Sequence, residues 1–186
     1  MIGFALTGSF CTISKALETM KSLVLQGYDI LPIMSENVYN TNTRFACFED
    51  VRKRAVEISG KKIIHTITEA EPLGPKIKLD AMIVCPCTGN TLSKIANGIT
   101  DTSVTMATKA HLRNNNPLLI ALASNDALSA NLKNIATLMS RKNVYFVPMH
   151  QDDPINKPHS LVAEFDLVEN SLRFALLGKQ DPKIFI

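Results

Sequence analysis

The chain has 186 residues, of which 46% are hydrophobic and 20% are charged, and its formal net charge is +3. This composition is typical of a globular protein and excludes the disordered, collagen-like and disulfide-scaffold classes. The charge is small and evenly spread, and no apolar run approaches the ~20 residues that span a bilayer. We therefore expect a single soluble, cytoplasmic domain over residues 1–186, with no nucleic-acid or membrane partner.

Apolar strands and amphipathic helices alternate in the first half of the chain. Helical spacing of apolar residues predicts a helix after each of the first two strands, and Gly27 and Gly60 are typical residues for ending them. A polar stretch over residues 35–44 and a turn-rich loop over residues 71–75 interrupt the pattern. Strands are predicted at three short apolar runs: residues 2–6, 29–34 and 62–67.

The second half of the chain continues this alternation. The runs 81–85 and 118–123 are continuously apolar, which indicates central parallel strands covered on both faces. A closing helix is predicted over residues 161–177, with Leu176 facing inward. Residues 149–160 form the longest irregular stretch, and their length and proline content predict a mobile flap. The remaining elements are a strand at 144–147 and helices near 91–97, 102–113 and 128–139.

This order of elements predicts an α/β fold. Strands that alternate with helices form right-handed crossovers and bury both faces of a sheet. We therefore expect a doubly wound, Rossmann-like (flavodoxin-like) three-layer sandwich with a mainly parallel sheet.

Polar segments follow four of the predicted strands, at the point where each strand ends. They are residues 7–12, 35–41, 86–91 and 124–126. Ligands of open parallel sheets bind beyond the carboxyl ends of the strands. Ser, Thr and Asn also serve as turn formers and N-caps, but four such segments together favour a phosphate-bearing ligand. The chain has neither a P-loop nor a full dinucleotide fingerprint, which leaves a mononucleotide such as FMN.

Cysteine spacing does not indicate a metal site. Cys85-Pro86-Cys87 lacks the spacing of a zinc-ligand pair, and no Cys or His pair accompanies it. We expect these cysteines to be buried or loop thiols, and we predict no metal.

Residues 86–101 (PCTGNTLSKIANGITD) resemble the P-x-x-x-N-T-x-x-K-x-A-x-G-x-x-D signature of a flavoprotein superfamily. That superfamily includes phosphopantothenoylcysteine decarboxylases and flavin prenyltransferases. The resemblance implies FMN bound at a subunit interface of a homo-oligomer, commonly trimer-based. Asp101 closes the signature, and we expect it to cap the helix that begins near Thr102. The resemblance further implies a set of cofactor-binding residues: Gly8, Ser9, Phe10, Ser35, Pro86, Cys87, Thr88, Asn90, Thr91 and Ser124.

Four segments resemble one family in that superfamily, the B subunits of dipicolinate synthase: residues 7–12, 71–75, 85–91 and 157–162. This resemblance implies an oxidoreductase subunit in the mother cell of a spore-forming bacterium. It would oxidise a dihydrodipicolinate precursor to dipicolinate during sporulation, with an A subunit that supplies the NAD(P) site. The implied substrate is a small cyclic dicarboxylate, for which Lys109, Arg113 and Lys157 are candidate cations. His65 and His111 are candidate proton acceptors, and the catalytic residues stay open.

Two other functions stay open from the sequence. One is a stand-alone flavin-dependent decarboxylase or flavin prenyltransferase. The chain departs from both, because no cysteine follows Cys87 and because Met106 and Ser124-Asn125 replace the charged residues of the prenyltransferases. The other is a non-catalytic regulatory subunit, in which the A subunit performs the chemistry.

Overall fold

The computed structural model describes all 186 residues, and a seven-stranded sheet lies at its centre. The strands are β1 (Ile2–Leu6), β2 (Ile30–Met34), β3 (Ala81–Cys87), β4 (Leu118–Ser124), β5 (Val144–Phe146), β6 (Met149–His150) and β7 (Leu161–Ala163). The first five strands are parallel and lie in the order β2-β1-β3-β4-β5. The short β7 pairs antiparallel with the carboxyl end of β4, and β6 pairs with β7.

Helices cover both faces of the sheet. They are α1 (Ile13–Leu25), α2 (Glu36–Asn40), α3 (Phe48–Ser59), α4 (Ile67–Ala70), α5 (Gly89–Ala96), α6 (Ser103–Leu112), α7 (Leu132–Met139) and α8 (Val168–Leu176). The apolar sides of α1, α3 and α8 pack into one core, and those of α5, α6 and α7 pack into a second core. The predicted doubly wound, mainly parallel three-layer fold is confirmed.

The central strand β3 is buried along its whole length, which explains why its sequence is continuously apolar. Successive side chains of a strand point to opposite faces. Ile83 and Cys85 accordingly belong to one core, whereas Met82 and Val84 belong to the other. Each large aliphatic side chain buried in this way stabilises the fold by about 1.5–3 kcal/mol.

The predicted strand over residues 62–67 is wrong. Only Ile64 pairs with the sheet, as a single bridge to Ile33. Thr66 then caps α4, because its hydroxyl accepts from the Glu69 N–H while the Glu69 carboxylate accepts from the Thr66 N–H. This capping box overrides the β propensity of the preceding residues.

The predicted closing helix over residues 161–177 is also wrong at its start. Its first residues form β7, because they pair with β4, and the α-helix begins only at Val168. Leu176 is 42% exposed and does not face inward. The polar stretch after β2 contains the short helix α2, for which the sequence predicts no element. The predicted helix ends are confirmed, since Gly27 and Gly60 follow α1 and α3 with φ of 89° and 66°.

The strand order determines where a ligand site can lie. The chain reverses its direction of winding between β1 and β3, and the crevice beyond the carboxyl ends of these strands is where doubly wound folds bind ligands. None of the helices combines the length and the apolar character needed to cross a bilayer.

Candidate functional site

A cleft of about 720 Å³ lies at this crevice. Its walls come from the loops that follow β1, β3 and β4, and from the segment between β6 and α8. The lining residues are Gly8, Ser9, Phe10, Cys11, Thr12, Lys15, Phe45, Thr88, Gly89, Asn90, Ala123, Ser124, Asn125, Asp126, His150, Asp152, Lys157, Val162, Ala163, Glu164 and Phe165.

A buried threonine joins the loops after β1 and β3. Thr7 is fully buried, and its hydroxyl donates to the Pro86 carbonyl over 2.7 Å. The same hydroxyl accepts from the Thr88 N–H over 3.0 Å. Thr7 therefore uses both its donor and an acceptor site to fix the two loops against each other.

The loop after β1 offers backbone donors to the cleft. The Ser9 N–H donates to the Thr7 carbonyl, but the N–H groups of Gly8, Phe10 and Cys11 have no acceptor within the chain. Lys15 lines the same end of the cleft and forms no ion pair. Free N–H groups at the start of a helix, together with a cation, suit an anionic group.

A second set of free donors lies at the start of α5. Thr88 caps this helix, because its hydroxyl accepts from the Thr91 N–H over 3.2 Å. The N–H groups of Gly89 and Asn90 have no acceptor within the chain. The helix start is therefore built to bind acceptor groups in the cleft.

The wall beyond β4 is acidic and highly hydrogen-bonded. The Ser124 hydroxyl donates to Asp126 Oδ1, and Asn131 Nδ2 donates to Asp126 Oδ2 over 2.9 Å. Asn134 Nδ2 in turn donates to Asn131 Oδ1 over 2.8 Å. This network holds Ser124 and Asp126 in one arrangement at the cleft.

The exposed loop over residues 151–159 also borders the cleft. Lys157 Nζ lies 2.8 Å from Asp152 Oδ2, and both residues line the cleft. Their hydrogen bond raises the pKa of Lys157 and lowers the pKa of Asp152. Both groups are therefore charged at neutral pH, and the predicted flap supplies a cation to the cleft.

The structure brings together most of the predicted cofactor residues and leaves some out. Those that line the cleft are Gly8, Ser9, Phe10, Thr88, Asn90 and Ser124. Pro86, Cys87 and Thr91 are buried and do not line the cleft, and burial raises the pKa of the Cys87 thiol. Ser35 lies at the end of β2, outside the cleft, and its buried hydroxyl has no hydrogen-bond partner.

The candidate histidines lie elsewhere. His65 stacks on the Tyr39 ring with a centroid separation of 3.7 Å, and its Nδ1 lies 3.1 Å from Glu69 Oε2. His111 is fully buried, and its Nε2 lies 2.9 Å from the Pro117 carbonyl oxygen. Burial lowers the pKa of His111. Its imidazole does not line the cleft.

Other predicted residues are also separated from the cleft. Lys109 and Arg113 line a different groove together with Arg141. Asp101 does not cap α6, because Thr102 provides the cap and the Asp101 carboxylate pairs with Lys94 over 2.9 Å instead.

Sequence reasoning missed several lining residues, chief among them Lys15, Phe45 and Asp152. Lys15 lies one helical turn beyond Cys11 on α1, a spacing that could have indicated a cation near the first loop. Phe45 and Asp152 carry no comparable signal, because each reaches the cleft from a loop remote in sequence.

The parallel sheet and the polar cleft at its switch point define a flavoprotein type of fold. A profile of the Flavoprotein family matches residues 1–168, and the chain belongs to that family. The chain is 44% identical over 185 residues to the B subunit of dipicolinate synthase from Bacillus subtilis (strain 168), and the match covers 100% of this chain and 92% of the relative.

Solved structures show the same relationship. The crystal structure of the B subunit of dipicolinate synthase from Bacillus halodurans matches with a TM-score of 0.92 and 40% identity, covering 100% of this chain and 95% of that one. The crystal structure of AnUbiX in complex with FMN and dimethylallyl pyrophosphate matches with a TM-score of 0.62 and 19% identity. It covers 79% of this chain and 76% of that chain, and it shares the fold.

Proposed function

We propose that this chain is the FMN-binding B subunit of a dipicolinate synthase. It acts with an NAD(P)-binding A subunit to oxidise a dihydrodipicolinate precursor to dipicolinate. The full-length similarity to known B subunits of dipicolinate synthase supports this function. We also propose that residues 1–186 form a single flavoprotein-type domain, that it forms a trimer-based homo-oligomer, and that it works in the cytoplasm of the mother cell during sporulation.

The cleft residues fit a flavin mononucleotide. One observation carries this part of the proposal: five backbone N–H groups without an acceptor belong to residues that line the cleft, at Gly8, Phe10, Cys11, Gly89 and Asn90. The volume of about 720 Å³ also suits a nucleotide-sized ligand. Lys15 and the first three of these donors would hold the phosphate.

The other predicted residues would hold the ring and its neighbours. Thr88, Asn90 and Ser124 line the cleft beyond β3 and β4, where hydroxyl and amide groups can meet polar atoms of a flavin ring. Pro86, Cys87 and Thr91 are buried and would support these loops, whereas Ser35 would act beside the loop after β1, since its N–H donates to the Leu6 carbonyl. When bound, the flavin would supply a two-electron redox centre.

Among the candidate cations, Lys157 of the flap is the one best placed to bind a substrate carboxylate. Lys157 lines the cleft, whereas Lys109 and Arg113 line another groove. Because Lys157 already pairs with Asp152, a dicarboxylate would compete with that carboxylate for its ammonium group. The pair is partly exposed and solvent screens its attraction, so the exchange costs little.

The alternative functions are less well supported. A decarboxylase that uses a late cysteine has no equivalent here, because no cysteine follows Cys87. A prenyltransferase that binds a prenyl phosphate through arginines is also not matched, because Met106 and Ser124 occupy those positions in this chain. A regulatory subunit with a vestigial cleft predicts a protein that stimulates its partner without binding flavin.

Flavin binding is the first test. We expect the purified chain to quench FMN fluorescence on titration and to show a flavin absorbance spectrum. Asn90→Asp should weaken FMN binding about tenfold or more, because it replaces amide donors with a carboxylate beside an anionic ligand. Asn115→Asp changes an exposed asparagine away from the cleft and serves as the control. Wild-type protein that binds no FMN would refute the proposal.

The partner requirement is the second test. Turnover of the dihydrodipicolinate precursor should require both subunits and NAD(P). Decarboxylation or prenyl transfer by this chain alone would favour the stand-alone enzymes instead. A flavin-free chain that still stimulates the A subunit would favour the regulatory role.

A further inference from the structure

A chain of hydrogen bonds of fixed polarity lies behind the cleft wall at the end of β4. Asp126 accepts at both carboxylate oxygens, from Ser124 Oγ and from Asn131 Nδ2. Asn131 cannot turn its amide around, because its Oδ1 already accepts from Asn134 Nδ2. Asn134 Oδ1 accepts in turn from Asn97 Nδ2 over 3.4 Å, so the direction of each hydrogen bond from Asn97 to Asp126 is defined.

The start of α5 packs directly on this network. A Cβ at Gly89 would lie 2.6 Å from both Asp126 Oδ1 and Asn131 Nδ2, and closer still to Ser124 Oγ. Only glycine leaves room for these three polar groups beneath the helix start. The carboxylate of Asp126 is also favourably placed electrostatically, because the N-terminus of a helix carries partial positive charge.

We propose that Asp126 is a positioning residue that makes Ser124 a hydrogen-bond acceptor toward the ligand. A hydroxyl has one proton, and the proton of Ser124 is donated to the carboxylate. The lone pairs of Ser124 Oγ that remain can only accept a hydrogen bond from a ligand in the cleft. This wall therefore recognises an N–H or O–H group, such as an imide N–H of a flavin ring.

The same arrangement separates two parts of the cleft by charge. A phosphate placed beside Ser124 would meet a carboxylate and an acceptor oxygen, with no free hydroxyl donor. Free N–H groups lie both at the loop after β1 and at the start of α5, but only the first has the unpaired cation Lys15 beside it, so we place the anionic group of the ligand at the loop after β1. Residues 124–126 belong to the segments that favour a phosphate-bearing ligand, and in this proposal Ser124 meets a hydrogen-bond donor of that ligand and not its phosphate.

The inference rests on the proposed FMN binding and is tested by FMN titration, followed by fluorescence quenching. In Asp126→Asn, the new side chain carries one oxygen and one NH2 group. The NH2 group cannot face Asn131 Nδ2, which is itself a donor, so it faces Ser124 instead. Ser124 Oγ then accepts from this NH2 group, and its proton is free to point into the cleft. We expect FMN to bind about 10-fold more weakly to this variant. Adding Asn131→Asp restores an acceptor opposite the new amide, and the double variant should regain most of the affinity.

A double-mutant cycle separates positioning from general support of the fold. Ser124→Ala should weaken binding on its own, and Asp126→Asn should then have no further effect in that background. Asp50→Asn removes an exposed carboxylate of α3 that has no partner, and it should leave binding unchanged.

The possible outcomes distinguish the proposed role of Asp126 from the proposed binding of FMN. Wild-type binding of FMN with an unchanged Asp126→Asn variant would overturn the inference alone. An equal loss on Asp126→Asn in the presence and absence of Ser124 would also overturn it, because Asp126 would then act by another route. Failure of the wild-type chain to bind FMN would overturn the inference together with the proposed function.

Discussion

The substitution Gly89→Ala tests how tightly the start of α5 packs on the cleft wall. The new methyl group would lie 2.6 Å from Asp126 Oδ1 and Asn131 Nδ2, so either the helix start or the network must move. Overpacking of this kind costs about 1–3 kcal/mol. Disruption of a hydrogen bond to the carboxylate adds about 1.5–3 kcal/mol. The helix preference of alanine over glycine offsets about 1 kcal/mol of this.

We therefore expect Gly89→Ala to lower the free energy of unfolding by about 1.5–5 kcal/mol. For a chain of this length, the melting temperature should fall by about 3–20 °C. The measurement is thermal and urea unfolding followed by circular dichroism at pH 7, without added flavin.

Two further variants make the result specific. Gly60→Ala is a control with open space around its Cβ, and it should cost only the ~1–2 kcal/mol of a left-handed backbone conformation. Gly89→Ala combined with Ser124→Ala removes the nearest atom and should recover part of the loss. If Gly89→Ala alone stays within about 0.5 kcal/mol of the wild type, the packing argument is refuted.

Three other predictions concern pH and the exposed loop. The pKa of Glu69 is lowered from 4.5 to about 2, chiefly by its hydrogen bond from Lys62. The resulting stabilisation of the fold is present above pH 4.5 and is lost as the pH falls toward 2. In urea unfolding, Glu69→Gln should therefore show a weaker dependence of the unfolding free energy on pH over that range. Burial lowers the pKa of His111 below 6.5, so acidification below pH 6.5 should destabilise the wild type in urea unfolding, and His111→Asn should reduce that dependence. Replacing residues 152–157 with a Gly-Ser linker of equal length should change the melting temperature by less than about 4 °C, because the Lys157–Asp152 pair is an exposed ion pair; a larger loss would mean that the loop stabilises the fold.

Local patterns were sufficient to predict most of the fold. The continuous apolar runs of β3 and β4 indicate burial on both faces, and Gly27 and Gly60 end their helices as expected. The errors arose where one local signal competed with another. Thr66 and Glu69 form a capping box that replaces the predicted third strand with a helix start. Residues after Ser160 pair with the end of β4, a contact that no local pattern can reveal.

The site was predictable only in part, because its residues come from strand ends that are far apart in the sequence. The signature at residues 86–101 and the loop after β1 indicated which strand ends carry the chemistry. Residue order contains no distances between those ends, so Ser35 was included although its side chain lies outside the cleft, and Lys15 was missed.

The sequence by itself determined the fold class, the family and the loops that surround the ligand, because these depend on periodicity, turn chemistry and a contiguous motif. The tertiary structure alone decided the polarity of the cleft walls. Asp126 can fix the Ser124 proton only because Asn131 and Asn134 hold its other oxygen. Likewise, Lys157 reaches the cleft only because β6 and β7 return the chain to the end of β4. Hydrogen-bond direction depends on the positions of all neighbouring groups, and those positions are set by packing rather than by residue order.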